Sequence, residues 1–239
     1  MVKNSLRVAQ REKTVVIPYD VLTINHQGKD IGFGTPIVGP GTYAGVAEAL
    51  RNQDVDLLQP TMAQTASLIH AGFNGDNKYS KQIKKIMKNH WFWGFTGNKW
   101  VPKEGVYIQN NPEIVEGRVS MDKQDLVKKL ESGDVSVRFV PFGFKIGKQT
   151  ALELAKNPYI IGLAGEKGAD KLAQVADKHR NKPYLYAFDN VDNELTRLSA
   201  LDSCWYDDGL GVVGGFGDDD YGFAFGVLNE SSEAGAKKI

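Results

Sequence analysis

One stretch of the chain carries the residue types of a phosphate-binding loop. The sequence "GFKIGKQT", Gly143–Thr150, lies between the strand-like "RFVPF" and the helix-like "ALELAK", a setting in which glycine-rich loops place backbone amides around phosphate groups. That motif requires four residues between its glycines and Ser or Thr directly after the Lys. Here three residues separate Gly143 from Gly147, and Gln149 follows Lys148. A basic strand-to-helix turn is therefore the favoured interpretation, and an enzyme with a nucleotide-binding loop at Gly143–Thr150 is the alternative.

Other residue types that could do chemistry are scattered along the sequence. The single cysteine, Cys204, excludes an internal disulfide and a cysteine-based zinc site. The acidic run "DDDYG", Asp218–Gly222, lacks the alternating carboxylates and the distal Glu of an EF-hand loop. No ligand spacing relates the four histidines, His26, His70, His90 and His179. We therefore predict no catalytic residue, no metal and no cofactor, and a protein that is not an enzyme.

Charge and hydropathy narrow the range of partners. The chain has 29 basic and 29 acidic residues and a formal net charge of zero, so it has no overall field to hold a polyanion, and we predict no nucleic-acid binding. Apolar runs such as "YIIGLAG" are too short to span a bilayer, which predicts no membrane insertion. The opening residues lack the apolar core of a secretory signal. These features alone predict a cytoplasmic protein.

A segment near the C-terminus, Arg197–Val227, has an unusual composition. It contains no Lys, Glu, Gln or Met, and between Leu201 and Val227 it carries six Asp and no basic residue. Recognition surfaces favour rigid aromatic residues together with small adaptable ones, and such residues are usually held by a rigid scaffold. We therefore predict a ligand-binding site formed by Ser203, Cys204, Trp205, Tyr206, Asp207, Asp208, Phe216, Asp218, Asp219, Asp220 and Tyr221.

Three strand-like stretches would position this site: "LSAL", "LGVVGGF" and "GFAFGVL". The two polar clusters between them are expected on one sheet face. Other strands are predicted at Thr14–Tyr19, Val135–Phe142 and Pro183–Asp189. "WFWGFTGNKWVPKEGVYIQ" is expected to form two strands around a turn at "TGNK", with its aromatic side chains in the core. Gly28–Gly45 is rich in turn residues and is predicted to be a loop with at most one short strand, at Ile37–Val38.

Capping residues and helical periodicity predict six helices. Thr42 is expected to cap a helix over Tyr43–Arg51, and Pro60-Thr61 is expected to begin a second helix that reaches about Phe73. Ser80 and Ser120 are predicted to cap the next two, and the last two are placed at Thr150–Lys156 and Ala169–His179 on either side of "NPYIIGLAG", with "GLAGEKG" as a turn. Helices and strands alternate irregularly, which indicates an α+β fold. We predict one elaborated domain over residues 1–239, with residues 1–60 compatible with an N-terminal extension.

The segment Arg197–Val227 resembles the variable region of proteins diversified by diversity-generating retroelements. The resemblance rests on the C-terminal position, on "GLGVVGG" before the second cluster and on the closing "GFAFGV". In that family, randomised adenines in Asn codons yield Tyr, Asp, Ser, Gly, Phe and Cys, but never Lys, Glu, Gln, Met or Trp. Ten of the eleven predicted site residues belong to the permitted set. Trp205 does not, and is expected to be a fixed scaffold residue.

The resemblance implies a C-type lectin-like fold with mainly antiparallel strands and several flanking helices, and a hypervariable segment at about residues 197–228. It further implies a viral or archaeal protein that recognises a receptor, displayed on a virion or cell surface. The calcium-binding triplets of sugar-binding lectins are absent from the sequence, so calcium-dependent sugar binding is not expected. The expected partner is a protein or cell-surface ligand of basic or polar character, and an oligomer is compatible with the sequence.

Overall fold

The computed structural model describes residues 20–53, 57–203, 208–217 and 221–228. These residues form a mixed α+β fold of three sheets and six helices, which confirms the predicted α+β class. The predicted strand Thr14–Tyr19 lies outside the described residues. Among the described residues, none of the helices combines the length and hydropathy that a bilayer crossing requires.

The strands vary from two to eleven residues in length. In chain order they are β1 (Val21–His26), β2 (Lys29–Gly34), β3 (Val38–Gly41), β4 (Leu57–Leu58), β5 (Trp91–Val101), β6 (Gly105–Asn110), β7 (Glu113–Val115), β8 (Arg118–Ser120), β9 (Val137–Pro141), β10 (Gly147–Lys148), β11 (Tyr184–Tyr186), β12 (Leu195–Ser203), β13 (Leu210–Phe216), β14 (Gly222–Ala224) and β15 (Val227–Leu228). The predicted strand "GFAFGVL" is thus divided between β14 and β15, which belong to different sheets.

The largest sheet has the order β10-β11-β13-β12-β5-β14-β3, and β6 pairs with both β5 and β9. At its centre β12 pairs antiparallel with β5 and with β13, while β14 runs parallel to β5. A smaller sheet has the order β1-β2-β15-β4. The end of the described chain therefore pairs with its beginning, through Val227 opposite Phe33. The third sheet is the β7–β8 hairpin.

The prediction of a loop over Gly28–Gly45 was wrong, because this region contains β2 and β3. Packing requires the two glycines of β2, Gly32 and Gly34. A Cβ on Gly32 would lie 2.8 Å from Leu228 Cδ1, and one on Gly34 would lie 2.8 Å from Leu57 Cδ2. The side chains of Leu228 in β15 and Leu57 in β4 therefore pack across β2 at its two glycines, where β2 has no side chain.

The prediction of a turn at "TGNK" was also wrong, since β5 continues through these residues and the chain turns at Pro102–Glu104. Asn98 is completely buried in mid-strand and donates to Ser199 Oγ at 2.7 Å. Asn is a residue type typical of turns, but here the hydrogen bond to the distant Ser199 allows Asn98 to be buried within a strand. The aromatic residues of β5 lie in the core, as predicted: Trp91, Phe92, Trp93, Phe95 and Trp100.

The helices follow the predicted order, with changes at their ends. They are α1 (Tyr43–Arg51), α2 (Met62–Asn74), α3 (Lys78–Asn89), α4 (Lys123–Glu131), α5 (Ala151–Ala155) and α6 (Pro158–Ala176). Thr42 caps α1 as predicted, and α2 begins at the predicted Pro60-Thr61, with Thr61 as its cap. Asn77 caps α3 in place of Ser80, and Asp122 caps α4 in place of Ser120, because each accepts a bond from the amide three residues later.

The segment "NPYIIGLAG" was predicted to separate two helices but forms the first turns of α6. Asn157 caps the helix and Pro158 occupies its first turn. Ile160, Leu163 and Ala164 are buried there. The predicted turn "GLAGEKG" is a kink within this helix, at Gly165, whose φ of 73° interrupts the helical backbone.

The large sheet has a core on each face. Leu201 of β12 and Val212 of β13 belong to a cluster that includes residues of α2, α3 and α6, and we call this side of the sheet the helix face. Their neighbours Ala200 and Val213 point the opposite way and pack with Tyr43, Trp91, Trp93 and Phe95. We call this second side the aromatic face.

Candidate functional site

Four of the predicted site residues belong to the described part of the chain: Ser203, Asp208, Phe216 and Tyr221. Ser203 ends β12, Asp208 precedes β13, Phe216 ends β13 and Tyr221 precedes β14. The remaining seven lie outside the described residues: Cys204, Trp205, Tyr206, Asp207, Asp218, Asp219 and Asp220.

Phe216 and Tyr221 meet on the aromatic face, where both contact Trp91. The ring centroids of Trp91 and Phe216 are 4.8 Å apart, and those of Trp91 and Tyr221 are 6.2 Å apart. Gly222 permits this approach, since a Cβ there would lie 2.1 Å from Trp93 Nε1 and 2.6 Å from Trp91 Nε1. The chain therefore leaves the sheet at Phe216 and returns at Tyr221 beside the same buried indole.

A pocket of about 520 Å³ opens beside Phe216 on this face. We call it the aromatic pocket; its side chains include those of Ile146, Tyr184, Tyr186, Phe188, Asp202 and Phe216. Tyr184 and Tyr186 are in contact, with ring centroids 4.1 Å apart, and Tyr186 is 39% exposed. A smaller cavity of about 200 Å³ also reaches Phe216 and is lined by Tyr43, Arg118 and Arg197.

Asp202 places a carboxylate in the wall of the aromatic pocket. Its Oδ1 atom is buried and has no hydrogen-bond partner among the residues that the structure describes. Burial raises the pKa of Asp202 from 3.8 to about 6. Composition marked Asp202 as one of six acidic residues, but it was not among the predicted site residues. The signal was present in "LSALDS", where a charge follows four apolar or small residues of a central strand.

Ser203 lies on the helix face, away from Phe216 and Tyr221. Its hydroxyl is 2.9 Å from His179 Nε2, and His179 Nδ1 is 2.9 Å from the Val175 carbonyl oxygen. Because a carbonyl only accepts, Nδ1 donates to Val175, and Nε2 is the ring atom that faces the Ser203 hydroxyl. Sequence order gave no sign of this Ser–His pair.

Asp208 and Ser203 line a second cleft, of about 500 Å³. Its other lining residues are Phe73, Lys84, Lys88, Lys178 and His179. Three lysines make this cleft basic, in contrast to the aromatic pocket. The four described site residues therefore fall into two pairs on opposite faces of the sheet, Ser203 with Asp208 and Phe216 with Tyr221. For these four residues, the expectation that both clusters share one sheet face was wrong.

The proposed phosphate loop has a different role in the structure. Gly147 and Lys148 form β10 and pair with β11. The Glu153 carboxylate accepts from the Thr150 amide at 2.6 Å and from Lys145 Nζ at 2.8 Å. These bonds lower the pKa of Glu153 to about 2, and the bond from Lys145 makes the largest contribution. The first turn of α5 thus already holds a carboxylate where a phosphate would bind.

Comparison of the chain with protein-family models, with curated proteins and with solved structures gives no match. Within the described ranges, no three His, Cys, Asp or Glu side chains lie together as a metal site requires. A functional assignment must therefore come from the chemistry of the pockets and of the predicted variable segment.

Proposed function

We propose that this protein is a ligand-binding, receptor-recognition protein that displays a hypervariable surface on a C-type lectin-like scaffold. The observation that supports the proposal is the meeting of Phe216 and Tyr221 on Trp91, at the two ends of the second predicted cluster. A diversified segment needs fixed points where it leaves and rejoins the scaffold, and a buried indole shared by both ends supplies one.

The strands around the predicted clusters are suited to tolerate change. Ser203 and Leu210 bound the first cluster as the last residue of β12 and the first of β13. Leu201, Val212 and Ala200 are completely buried next to it. Since these core residues come from the strands, substitutions within the clusters leave the main packing of the sheet in place.

The partner that we propose is a protein or cell-surface ligand, bound by a protein displayed on a virion or cell surface. Leu201–Val227 contains six Asp and no Lys or Arg. Acidic groups beside aromatic ones favour a basic or polar partner, through complementary charge and rigid contact area. The proposal assigns no reaction to the protein.

The most direct test is inspection of the coding locus. We expect a second, near-identical copy of the sequence that encodes Arg197–Val227, with differences confined to adenines, and a reverse-transcriptase gene nearby. Absence of both would contradict membership in the retroelement-diversified group.

A biochemical test uses the protein itself. We expect variants in which Ser203–Asp208 and Phe216–Tyr221 are redrawn from Tyr, Asp, Ser and Gly to stay folded and to select different partners in a display screen. The control library places equal numbers of changes at core positions of the same strands, such as Ala200 and Val212, and is expected to lose folded protein. Equal loss of folding in both libraries would show that the clusters are part of the core.

A further inference from the structure

We propose that the aromatic pocket binds an organic cation, an alkylammonium or guanidinium group on an apolar stem, with Asp202 as its counterion. The inference adds a ligand class to the surface proposed above, and it rests on that proposed function only for the biological source of the ligand. The site is formed by residues of β10, β11, β12 and β13 and of the segments next to them, including Ile146 and Phe188.

The aromatic walls favour a positive charge. Tyr184, Tyr186, Phe188 and Phe216 all line the pocket, and aromatic faces attract ammonium and guanidinium groups through the ring quadrupole. The volume of about 520 Å³ lies in the range of small-molecule sites. It accommodates a charged head together with several carbon atoms of a stem.

The carboxylate supplies the second part of the recognition. Asp202 Oδ1 is buried and, among the described residues, has no hydrogen-bond partner. None of the residues described as lining the pocket is Lys, Arg or His. A buried acceptor without a donor is costly for a folded protein, and a bound cation would supply both the donor and the missing charge.

Other ligand classes fit these walls less well. A neutral apolar ligand would fill the volume but leave Asp202 unpaired. An anion would be repelled by the same carboxylate, whereas the cleft with Lys84, Lys88 and Lys178 on the other face offers the opposite charge. Charge complementarity therefore favours a cation in the aromatic pocket.

Gly211 fixes the position of the carboxylate. Asp202 and Gly211 are directly opposed in the β12–β13 register, and a Cβ on Gly211 would lie 1.9 Å from Asp202 Oδ1. The carboxylate thus occupies space that a side chain at position 211 would take. Gly211→Ala keeps the charge of Asp202 but moves its carboxylate. The variant therefore shows how cation binding depends on the position of the carboxylate, separately from its charge.

The test measures binding of small probes to the full chain by calorimetry, with n-butylammonium and n-butylguanidinium as the cations and n-pentanol as the uncharged probe of similar length. We expect each cation to bind about tenfold more tightly than pentanol. Asp202→Asn is expected to remove this preference and leave pentanol binding unchanged. The matched control Asp170→Asn, an exposed acid on α6, is expected to change nothing.

Two further variants test cation binding independently, in case Asp202→Asn does not fold. Gly211→Ala is expected to weaken cation binding about tenfold, and Phe188→Leu is expected to weaken cations more than pentanol because it removes an aromatic face. Equal binding of cations and pentanol by the wild type, or cation binding that survives Asp202→Asn, would overturn the inference.

The source of the cation is distinguished by a second set of probes. Lys and Arg residues blocked at both ends represent a basic side chain of a protein partner. Tighter binding of the blocked residues than of the butyl compounds would point to a protein ligand, and the reverse would point to a free amine. Failure of every cation to bind, in a protein whose clusters do select partners when redrawn, would overturn this inference alone. Cation binding without a diversifying locus would overturn only the proposed function.

Discussion

The carboxylate of Asp202 lies over Gly211 on the neighbouring strand, in space that only a glycine at position 211 leaves open. Strand pairing therefore places a carboxylate near the end of a central strand, with its Oδ1 atom buried in the wall of the aromatic pocket and without a described donor. Groups that cost stability in this way are concentrated at functional sites.

Asp202→Asn is expected to stabilise the protein at neutral pH. The folded pKa of about 6 exceeds the ordinary 3.8, so the folded state binds more protons than the unfolded state between these values, and stability falls as the pH rises through this window. The variant does not lose stability in this window, so its free energy of unfolding should exceed that of the wild type by about 1–3 kcal/mol at neutral pH. At about pH 4, the ordinary pKa of Asp, the two proteins should be equally stable. Urea unfolding of both proteins at the two pH values measures the difference.

Other carboxylates do not obscure that comparison. Asp20, Asp134 and Glu153 have lowered pKa values, so they lose stabilising interactions as the pH falls, but they do so equally in both proteins. Asp170→Asn is the matched control. A variant that is no more stable than wild type at neutral pH would show that Asp202 is not strained in the folded state.

Gly222→Ala is expected to destabilise the protein by about 2–4 kcal/mol, because a new methyl group would overlap two buried indoles. The nearest atoms would be Trp93 Nε1 at 2.1 Å and Trp91 Nε1 at 2.6 Å. Gly217→Ala is the control, since no atom lies within 4 Å of the corresponding Cβ. Denaturant unfolding followed by tryptophan fluorescence reports both. Equal stability of the two variants would mean that Tyr221 is not held against Trp91 as described.

Asn98→Ala is expected to cost about 2–4 kcal/mol, because it leaves two buried hydroxyl groups without their partner. Asn98 donates to Ser199 Oγ at 2.7 Å and accepts from Tyr159 Oη at 2.9 Å. Asn193→Ala, at an exposed position, should change the free energy of unfolding by less than about 0.5 kcal/mol. Thermal and urea unfolding would measure both changes. A small effect of Asn98→Ala would place a water molecule or another donor in this network.

ATP with magnesium is expected to produce no thermal shift that depends on Lys148. The first turn of α5 is bound by its own Glu153 carboxylate, which competes with a phosphate for the same amide. Melting curves of wild type and Lys148→Ala, with and without nucleotide, test this expectation. A stabilisation by ATP in the wild type that Lys148→Ala abolishes would favour the enzyme alternative.

Local sequence signals predicted much of the fold. Thr42 was identified as a cap, and Pro60-Thr61 as the start of α2, because helix-start signals act on amides only about three residues away. The same rule failed at α3, where Asn77 and Ser80 both offer a capping side chain. Glycines in β2 were mistaken for loop residues, because the side chains that cross them, Leu57 and Leu228, are distant in sequence.

The sequence predicted which segment carries the site, but not how the residues of that segment are arranged in space. Composition marked Phe216 and Tyr221, yet the contact of Phe216 with Trp91 depends on β12 pairing with both β13 and β5, and that of Tyr221 depends on β14 pairing with β5. The burial of Asp202 depends on the register that brings Gly211 opposite to it. Neither relationship can be derived from spacing along one strand, because register is set by the packing of the whole sheet.

The position of β15 between β2 and β4 makes the small sheet depend on residues near the end of the predicted variable segment. Val227 pairs with Phe33 on one side and with Leu58 on the other, and it follows all eleven predicted site residues. A premature stop or a shifted frame before Val227 would leave β4 detached from the hairpin β1–β2. We therefore expect only chains that are translated in frame through this segment to complete the small sheet and to resist proteolysis.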